Sequence, residues 1–499
     1  MKIRILINPS RARHWHLLLA EKLTGVGHEI AFAFAEGGIS LNLCIAILMG
    51  FEHFAYRKTL DHASSRAKFV LFAGMTEEML NPDLIINLTN RDLQDVTPTI
   101  RLRFNGDTDE MAAVAAILRG EAPVLSVVTE VGDVIFEGLP AIEPNQILSS
   151  AFNFVLARCV TILAKAIVNI ETGQQIINKA QKAENACTEL KTIDLLSFGA
   201  SVFASKLKAK FYRALNKVEH ENQDHWRIVS RRLLGDSDLI SVTGQWPNAD
   251  WIALKDDNER FYADPFVFVH KGQTYIFMEE FPYSTMKGII SVSTVSDDGR
   301  ISKPKHVLER PFHLSYPFVF ERDGEIWMIP ETYSSGKIEL YRAENFPNEW
   351  VFHQVLVDDV VASDATLFEH EGLLWLFAAE HDGGSSWDTL SLWYAYKLEG
   401  PWYPHILNPV LVDAKSARPA GKIVVKDGRI IRPAQNCIGG YGTGLVLKEI
   451  VKLDKNVFEE REIADLPPPD EWGAVGVHTL NHGGGIEVID QLHIRARPS

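Results

Sequence analysis

A short hairpin pattern recurs five times between residues 264 and 485, and it constrains the fold of this chain more than any other feature. The clearest copies read Asp264-Pro-Phe-Val-Phe-Val-His-Lys-Gly272 followed by Glu279-Glu280, Tyr316-Pro-Phe-Val-Phe-Glu-Arg-Asp-Gly324 followed by Glu331, and Asp364-Ala-Thr-Leu-Phe-Glu-His-Glu-Gly372 followed by Glu380. Weaker copies lie at Arg418-Pro-Ala-Gly with Asp427-Gly428 and Gln435, and at His478-Thr-Leu-Asn with Gly485. Alternating apolar residues around a Gly at the tip are the pattern of two antiparallel strands joined by a tight turn. Both arms of a hairpin return to one end, so the opening group and the group seven or eight residues after the Gly are expected to face each other. A repeat of roughly fifty residues with one four-stranded sheet per copy predicts an all-β, five-bladed propeller with polar groups gathered at one mouth.

At 499 residues the chain exceeds one ordinary core and is expected to be multidomain. Residues 1–170 alternate strand-like runs (Lys2 to Ile7, His28 to Phe34, Lys68 to Phe72, Leu84 to Asn87) with helical spacing at His14 to Leu23 and Met111 to Leu118. That order predicts an N-terminal α/β domain, Rossmann-like, with a mostly parallel sheet closed by a helix around 146–170. The apolar run Ile147 to Ile170 contains Asn153, Arg158, Lys165 and Asn169, which are costly in hydrocarbon, so a buried helix is predicted. Residues 171–224 read as a helical linker, and 225–499 as the propeller. Trp226-Arg-Ile-Val-Ser opens the last segment and is expected to pair with the C-terminal region, sealing the ring's open edge.

A net charge of −15 with no long Lys/Arg run argues against nucleic acid as a partner. Cys44, Cys159, Cys187 and Cys437 show neither metal spacing nor a disulfide framework. The start, Met1-Lys-Ile-Arg-Ile-Leu-Ile-Asn-Pro, lacks a signal peptide's long apolar run, which predicts a cytoplasmic protein. Within the linker, Lys206, Lys208, Lys210, Arg213 and Lys217 make 197–218 a basic amphipathic stretch. Two roles stay open for it: contact with an anionic membrane at the inner face, or packing on a neighbouring domain.

Two resemblances add to this reading. Asp83-Leu-Ile-Ile-Asn, Ile100-Arg-Leu-Arg-Phe-Asn, the helical run Ala112 to Gly120 and Glu130-Val-Gly-Asp-Val-Ile resemble, in order, the elements of methionyl-tRNA and sugar-amine formyltransferases. That family uses an Asn, a His and an Asp. Here the segment reads Arg103-Phe-Asn105-Gly-Asp107 without His, and Glu130 stands at the Asp position, so the resemblance implies a degenerate, formyltransferase-like fold without its acid–base chemistry. In the second half, Ala263-Asp-Pro-Phe, His313-Leu-Ser-Tyr-Pro-Phe-Val-Phe, Met328-Ile-Pro-Glu-Thr, Ala417-Arg-Pro-Ala-Gly, Ile431-Arg-Pro-Ala-Gln and Val477-His-Thr-Leu-Asn resemble the N-terminal propeller of glucosamine inositolphosphorylceramide transferases. This domain is in turn similar to the five-bladed glycosidase propellers.

The second resemblance implies a carbohydrate site at the mouth. Asp264 matches the first-blade Asp of the glycosidases, Tyr316 replaces the second-blade Asp, Asp364 stands in the third blade, and Glu331 is an additional acid; Asp264, Glu331 and Asp364 are the candidate catalytic groups. Glu280, Tyr316, Glu380, Arg418, Arg432, Gln435 and His478 are the candidate substrate-binding groups, with the two Arg suited to a carboxylate or a nucleotide-sugar phosphate. Structural roles stay open beside these: Asp264 as a turn cap, Glu331 as a tie to Arg418 or Arg432, and His478 bonded to a backbone carbonyl. No cofactor or metal is expected. The functional expectation is glycosyl transfer on a sugar nucleotide or glycan, in surface polysaccharide or glycolipid biosynthesis. A two-carboxylate glycoside hydrolase and a non-catalytic glycan-binding module are the alternatives.

Overall fold

The computed structural model describes residues 1–35, 63–67, 81–93, 96–143, 147–174 and 222–496, with single positions at 45, 48, 49, 71, 72, 75 and 198. Most of the expected linker, including nearly all of the basic stretch 197–218, and part of the expected strand at 68–72 lie outside the described residues. The chain divides into two compact units, Met1–Lys217 with Gly383–Ser385, and Val218–Asp382 with Ser386–Ser499.

The first unit is a six-stranded sheet in the order β2-β1-β3-β4-β5-β6, formed by β1 (Lys2–Ile7), β2 (Glu29–Phe34), β3 (Leu84–Asn87), β4 (Thr99–Phe104), β5 (Leu125–Thr129) and β6 (Val134–Gly138). The β1–β2, β1–β3 and β3–β4 pairs are parallel, while β4–β5 and β5–β6 are antiparallel, so the sheet is mixed. Its helices include α1 (His14–Gly25), α2 (Met111–Leu118) and α3 (Leu148–Glu171). By length and composition α3 would suffice to cross a membrane, but 78% of its most apolar window is buried inside the protein. Asn105 sits in a tight turn at φ 49°, where its Oδ1 accepts the Val124 N–H. Glu130 lies in the turn of the β5–β6 hairpin, 3.7 Å from Arg101.

The second unit is a ring of five sheets. It begins with β7 (Asn222–Arg232) and β8 (Ile252–Ala253). The first blade is β9 (Arg260–His270), β10 (Gln273–Pro282), β11 (Ile289–Val295) and β12 (Lys305–Leu308); the second is β13 (Ser315–Arg322), β14 (Glu325–Glu331), β15 (Ile338–Asn345) and β16 (Glu349–Val357). The third is β17 (Ala362–His370), β18 (Leu373–Glu380), β19 (Thr389–Ala395) and β20 (Tyr403–Pro404), with β21 (Leu411–Val412) also on β19. The fourth is β22 (Val424–Lys426), β23 (Arg429–Asn436), β24 (Gly444–Leu453) and β25 (Phe458–Leu466). The fifth joins β26 (Leu480–Gly483) and β27 (Ile486–Ala496) to β7 and β8, with β7 pairing along β27 from Arg232↔Ile486 to Asn222↔Ala496. The ring therefore closes through the strand that contains Trp226, which removes the exposed edges an open stack of blades would carry.

Alternation along each inner hairpin sets which side chains build the core between blades. Phe266, Phe277, Tyr316, Phe318, Met328, Leu340 and Leu376 form one continuous buried cluster across the first three blades. Close approach of blades four and five requires Gly421: at φ +129°, an added Cβ would lie 2.1 Å from the Leu480 carbonyl oxygen. Gly421→Ala is expected to lower stability by about 1–3 kcal/mol, read as a lower urea midpoint at unchanged slope. An unchanged midpoint would contradict this packing.

Candidate functional site

Three blades break their ladders at the same place. In β9, Asp264 and Pro265 stand between the paired residues Ala263 and Phe266, while β10 places only Met278 between the partners Glu279 and Phe277. In β13, Tyr316 and Pro317 oppose Pro330 alone, and in β17, Asp364 and Ala365 oppose Ala378 alone. Two residues against one is a β-bulge, which bends the strand and re-aims a side chain. Its opening residue adopts the left-handed region in all three, with φ of 50° at Asp264, 43° at Tyr316 and 57° at Asp364. Such conformations cost about 1–3 kcal/mol each for non-glycine residues and persist where the surroundings hold them.

Carboxylates hold two of these bulges. Asp490 Oδ2 accepts the Asp264 N–H at 2.9 Å, and Asp264 Oδ2 accepts the Tyr316 N–H at 3.1 Å. Asp490 Oδ1 also accepts the N–H groups of His478 and Thr479, while Asp264 Oδ1 accepts the Thr479 hydroxyl. His478 lies between the two acids, its Nδ1 2.7 Å from Asp490 and its Nε2 3.5 Å from Asp264, and its ring stacks on Trp226 at 3.9 Å. Blades five, one and two are thus stitched by one polar net.

A second net gathers around Arg418. Its Nε donates to Asp364 Oδ2 at 2.6 Å, and Nη2 lies 3.5 Å from Glu331 Oε2. Gln435 donates to the same Asp364 oxygen at 2.9 Å, and the guanidinium sits 5.0 Å from the Tyr441 ring centroid. Tyr441 in turn meets His478 edge-on at 5.3 Å, which joins the two nets. The Tyr316 hydroxyl bonds Thr366 Oγ1 and accepts the Gly421 N–H at 2.6 Å, so Tyr316 acts as a neutral cross-tie here. Glu331 is 8% exposed, and its Oε2 has no hydrogen-bond donor among the described residues.

Of the sequence-expected site residues, Asp264, Glu331, Asp364, Tyr316, Arg418, Gln435 and His478 come together in these nets. Glu280, Glu380 and Arg432 do not. Register explains the first two: Glu279 pairs with Ala263, Glu331 with Ser315 and Ala379 with Ser363, so these share one position, and Glu280 and Glu380 fall one residue later on the opposite face. There each accepts a serine hydroxyl of the third strand at 2.6 Å, Ser291 for Glu280 and Ser391 for Glu380, and Glu280 also takes Arg260. Arg432 is held by Glu460 at 2.8 and 2.9 Å and by the Ser416 carbonyl. It lies three residues from Gln435, and positions i and i+3 of a strand face opposite ways. Glu279, Asp490, Tyr441 and Trp226 belong to the cluster although no site role was read for them. For Glu279 the signal was present, since it shares the register position of Glu331.

Low exposure and mutual repulsion shape the charges. Burial pushes the Asp264 carboxyl up to about 6, against the pull of His478 and with help from Asp364 and Asp490. Burial likewise lifts Asp364 to about 7, although Arg418 opposes it. Glu279 is driven well above the carboxylate range by burial and then by Asp264, Glu331, Asp490 and Asp364. His478 stays above its ordinary value because Asp490 and Asp264 outweigh the burial that disfavours its charge. Proton-holding acids of this kind, beside a buried cation, suit acid–base work on hydroxyl groups. Asp264, His478 and Asp490 also place ligand atoms within 4.8 Å of one another. Their carboxylate lone pairs already receive the N–H and O–H donors named above, so the trio fits a cation poorly.

Over 245 residues, 46% of this chain, the sequence is 38% identical to glucosamine inositolphosphorylceramide transferase 1 of Oryza sativa subsp. japonica and 34% identical to the protein of that name from Arabidopsis thaliana. The matched stretch covers 33% and 32% of those proteins, so the chain spans about one third of the length of the curated relatives it matches. Among solved structures, the catalytic domain of a GH62 alpha-L-arabinofuranosidase from Coprinopsis cinerea is 12% identical with a TM-score of 0.37, covering 54% of this chain and 97% of that one. Residues 249–467 match the family model described as glucosamine inositolphosphorylceramide transferase 1, N-terminal, so the propeller resembles the N-terminal domain of that family, as its motifs imply.

Proposed function

We propose that the centre of the propeller binds a sugar nucleotide or glycan and transfers a glycosyl group in polysaccharide or glycolipid biosynthesis. The observation that carries this reading is the convergence of Asp264, Tyr316, Asp364, Arg418 and His478, one opening residue from each of the five repeats, on a cluster that also holds Glu331. In this reading Glu331 or Asp364 takes the proton of an acceptor hydroxyl, and Arg418 steadies the charge that develops on the leaving group. Arg432 has no part in it, because Glu460 occupies its guanidinium. The first unit serves as a scaffold derived from a formyltransferase-like fold; the segment Arg103-Phe-Asn105-Gly-Asp107 without a His, and Glu130 at the family's Asp position, support its loss of formyl-transfer chemistry.

The raised carboxyls of Asp264 and Asp364 also favour a second reading, hydrolysis by an acid and a base on separate blades. Calorimetry and turnover assays over a panel of sugar nucleotides, glycans and aryl glycosides separate the cases. Transfer from a sugar nucleotide, lowered by about 10²–10⁴-fold in Glu331→Gln and Asp364→Asn with binding kept, is the expected result. Sugar release to water supports the hydrolase instead. Binding without turnover marks a glycan-binding module, and no binding of any probe sinks the carbohydrate reading.

A further inference from the structure

We propose that Glu279 is the proton donor of the central cluster and that His313 is the residue that positions it; the proposal rests on the glycosyl-transfer reading. Glu279 sits on β10 at the register position that Glu331 holds on β14, so both face the same centre from adjacent blades. It is 6% exposed, and no Arg or Lys pairs with it among the described residues. The acids whose charge acts on it are Asp264 from β9, Glu331 from β14, Asp490 from β27 and Asp364 from β17. Four acids without a cation of its own leave Glu279 with its proton, and a donor must enter the reaction protonated.

The His313 ring flanks that carboxyl. The Gly288 N–H donates to His313 Nδ1 at 2.9 Å, so the neutral ring carries its proton on Nε2. Nε2 lies 3.4 Å from Glu279 Oε1, and the His313 side chain is 33% exposed, so the pair spans from solvent to the buried cluster. Gly288 is required for the approach: a Cβ there would lie 2.4 Å from the Leu314 carbonyl oxygen, 2.6 Å from His313 Cε1 and 2.7 Å from Glu279 Oε1. Gly288 O also accepts the Leu314 N–H, which locks the loop on both sides. In the reaction, the bond from the anomeric carbon to the leaving oxygen breaks and that oxygen takes the Glu279 proton. The bond to the acceptor oxygen forms as the acceptor's proton passes to Glu331 or Asp364. Glu331 or Asp364 then releases its proton to water, and the Glu279 carboxylate left behind, facing His313 Nε2–H, regains one from water.

The test uses the full chain and infrared difference spectra of the protonated-carboxyl band at pH 7. The wild-type-minus-Glu279→Gln spectrum is expected to show this band. In His313→Phe the band should persist to higher pH, because the carboxylate has lost a donor, while His313→Gln, which keeps an N–H, should restore the wild-type titration. For whichever sugar-nucleotide or aryl-glycoside probe is turned over, Glu279→Gln should lower kcat by about 10²–10⁴-fold with KM little changed, and His313→Phe should move the basic limb of the pH profile upward. A missing Glu279 band, or a His313→Phe titration identical to wild type, overturns this proposal whatever the substrate. A Glu279 band with no turnover of any probe overturns the glycosyl-transfer reading and the donor role built on it.

Discussion

Replacement of Arg418 by Met is expected to lower the free energy of unfolding by about 3–5 kcal/mol at pH 7. Arg418 is 7% exposed and is the cation beside Asp364 and Glu331, which are 2% and 8% exposed. Burial disfavours its charge, yet Asp364, Tyr441 and Glu331 together hold its guanidinium well above the usual arginine value. Removing one partner of a buried pair leaves the other charge unsolvated, whereas replacing the whole set by neutral groups is far less costly. The triple variant Arg418→Met, Asp364→Asn, Glu331→Gln should therefore recover much of the loss. Urea unfolding of the three proteins decides it: a single variant that loses under ~1 kcal/mol, in the range of a surface pair, contradicts the arrangement.

The second large effect is with pH. Asp264 and Asp364 have folded values near 6 and 7, raised above the ~3.9 of an unfolded aspartate. Between these limits the folded state binds more protons than the unfolded state, so stability falls as pH rises. The contribution is fully present below about pH 4 and is lost as pH passes through the folded values. His478, also raised, acts with the same sign as pH passes its ordinary 6.5. Thermal unfolding from pH 4 to pH 8 should show this decline, and Asp364→Asn should flatten its upper part because an amide does not titrate. Parallel curves for the two proteins would rule out a proton-holding Asp364.

Much of the ring was legible because repeated hairpins leave a repeated pattern. Gly272, Gly324, Gly372 and Gly428 all take the positive φ that a tight turn needs, and they mark the tips of the first four inner hairpins. The closing strand was readable from its apolar run at Trp226. The polar centre was harder, for a reason of geometry. Counting from a turn fixes a strand position to within one residue, and one residue decides the face, so Glu280 was read where Glu279 stands. The bulges add to this: the extra residue at Asp264, Tyr316 and Asp364 shifts the count between arms, and no local sequence rule signals it. Asp490 was hidden differently. It lies on β27, the return strand of the fifth hairpin, five residues after Gly485 rather than the seven or eight counted in the other copies, and it joins the centre through the amides of His478 and Thr479 and, across the ring, of Asp264.

The pairing of β7 with β27 also fixes when the ring can finish forming. Asn222 meets Ala496 and Arg232 meets Ile486, so the fifth blade needs residues more than 250 apart in sequence. On the ribosome, four blades emerge before the strand that completes the fifth exists. Until then β7 waits with an unpaired edge, and the amides of Asp264 and His478 lack the Asp490 carboxylate that later receives them. Pairings this remote slow folding and prolong the exposure of strand edges. The Asp490 net of the polar centre is therefore assembled last, in the same step that shuts the ring.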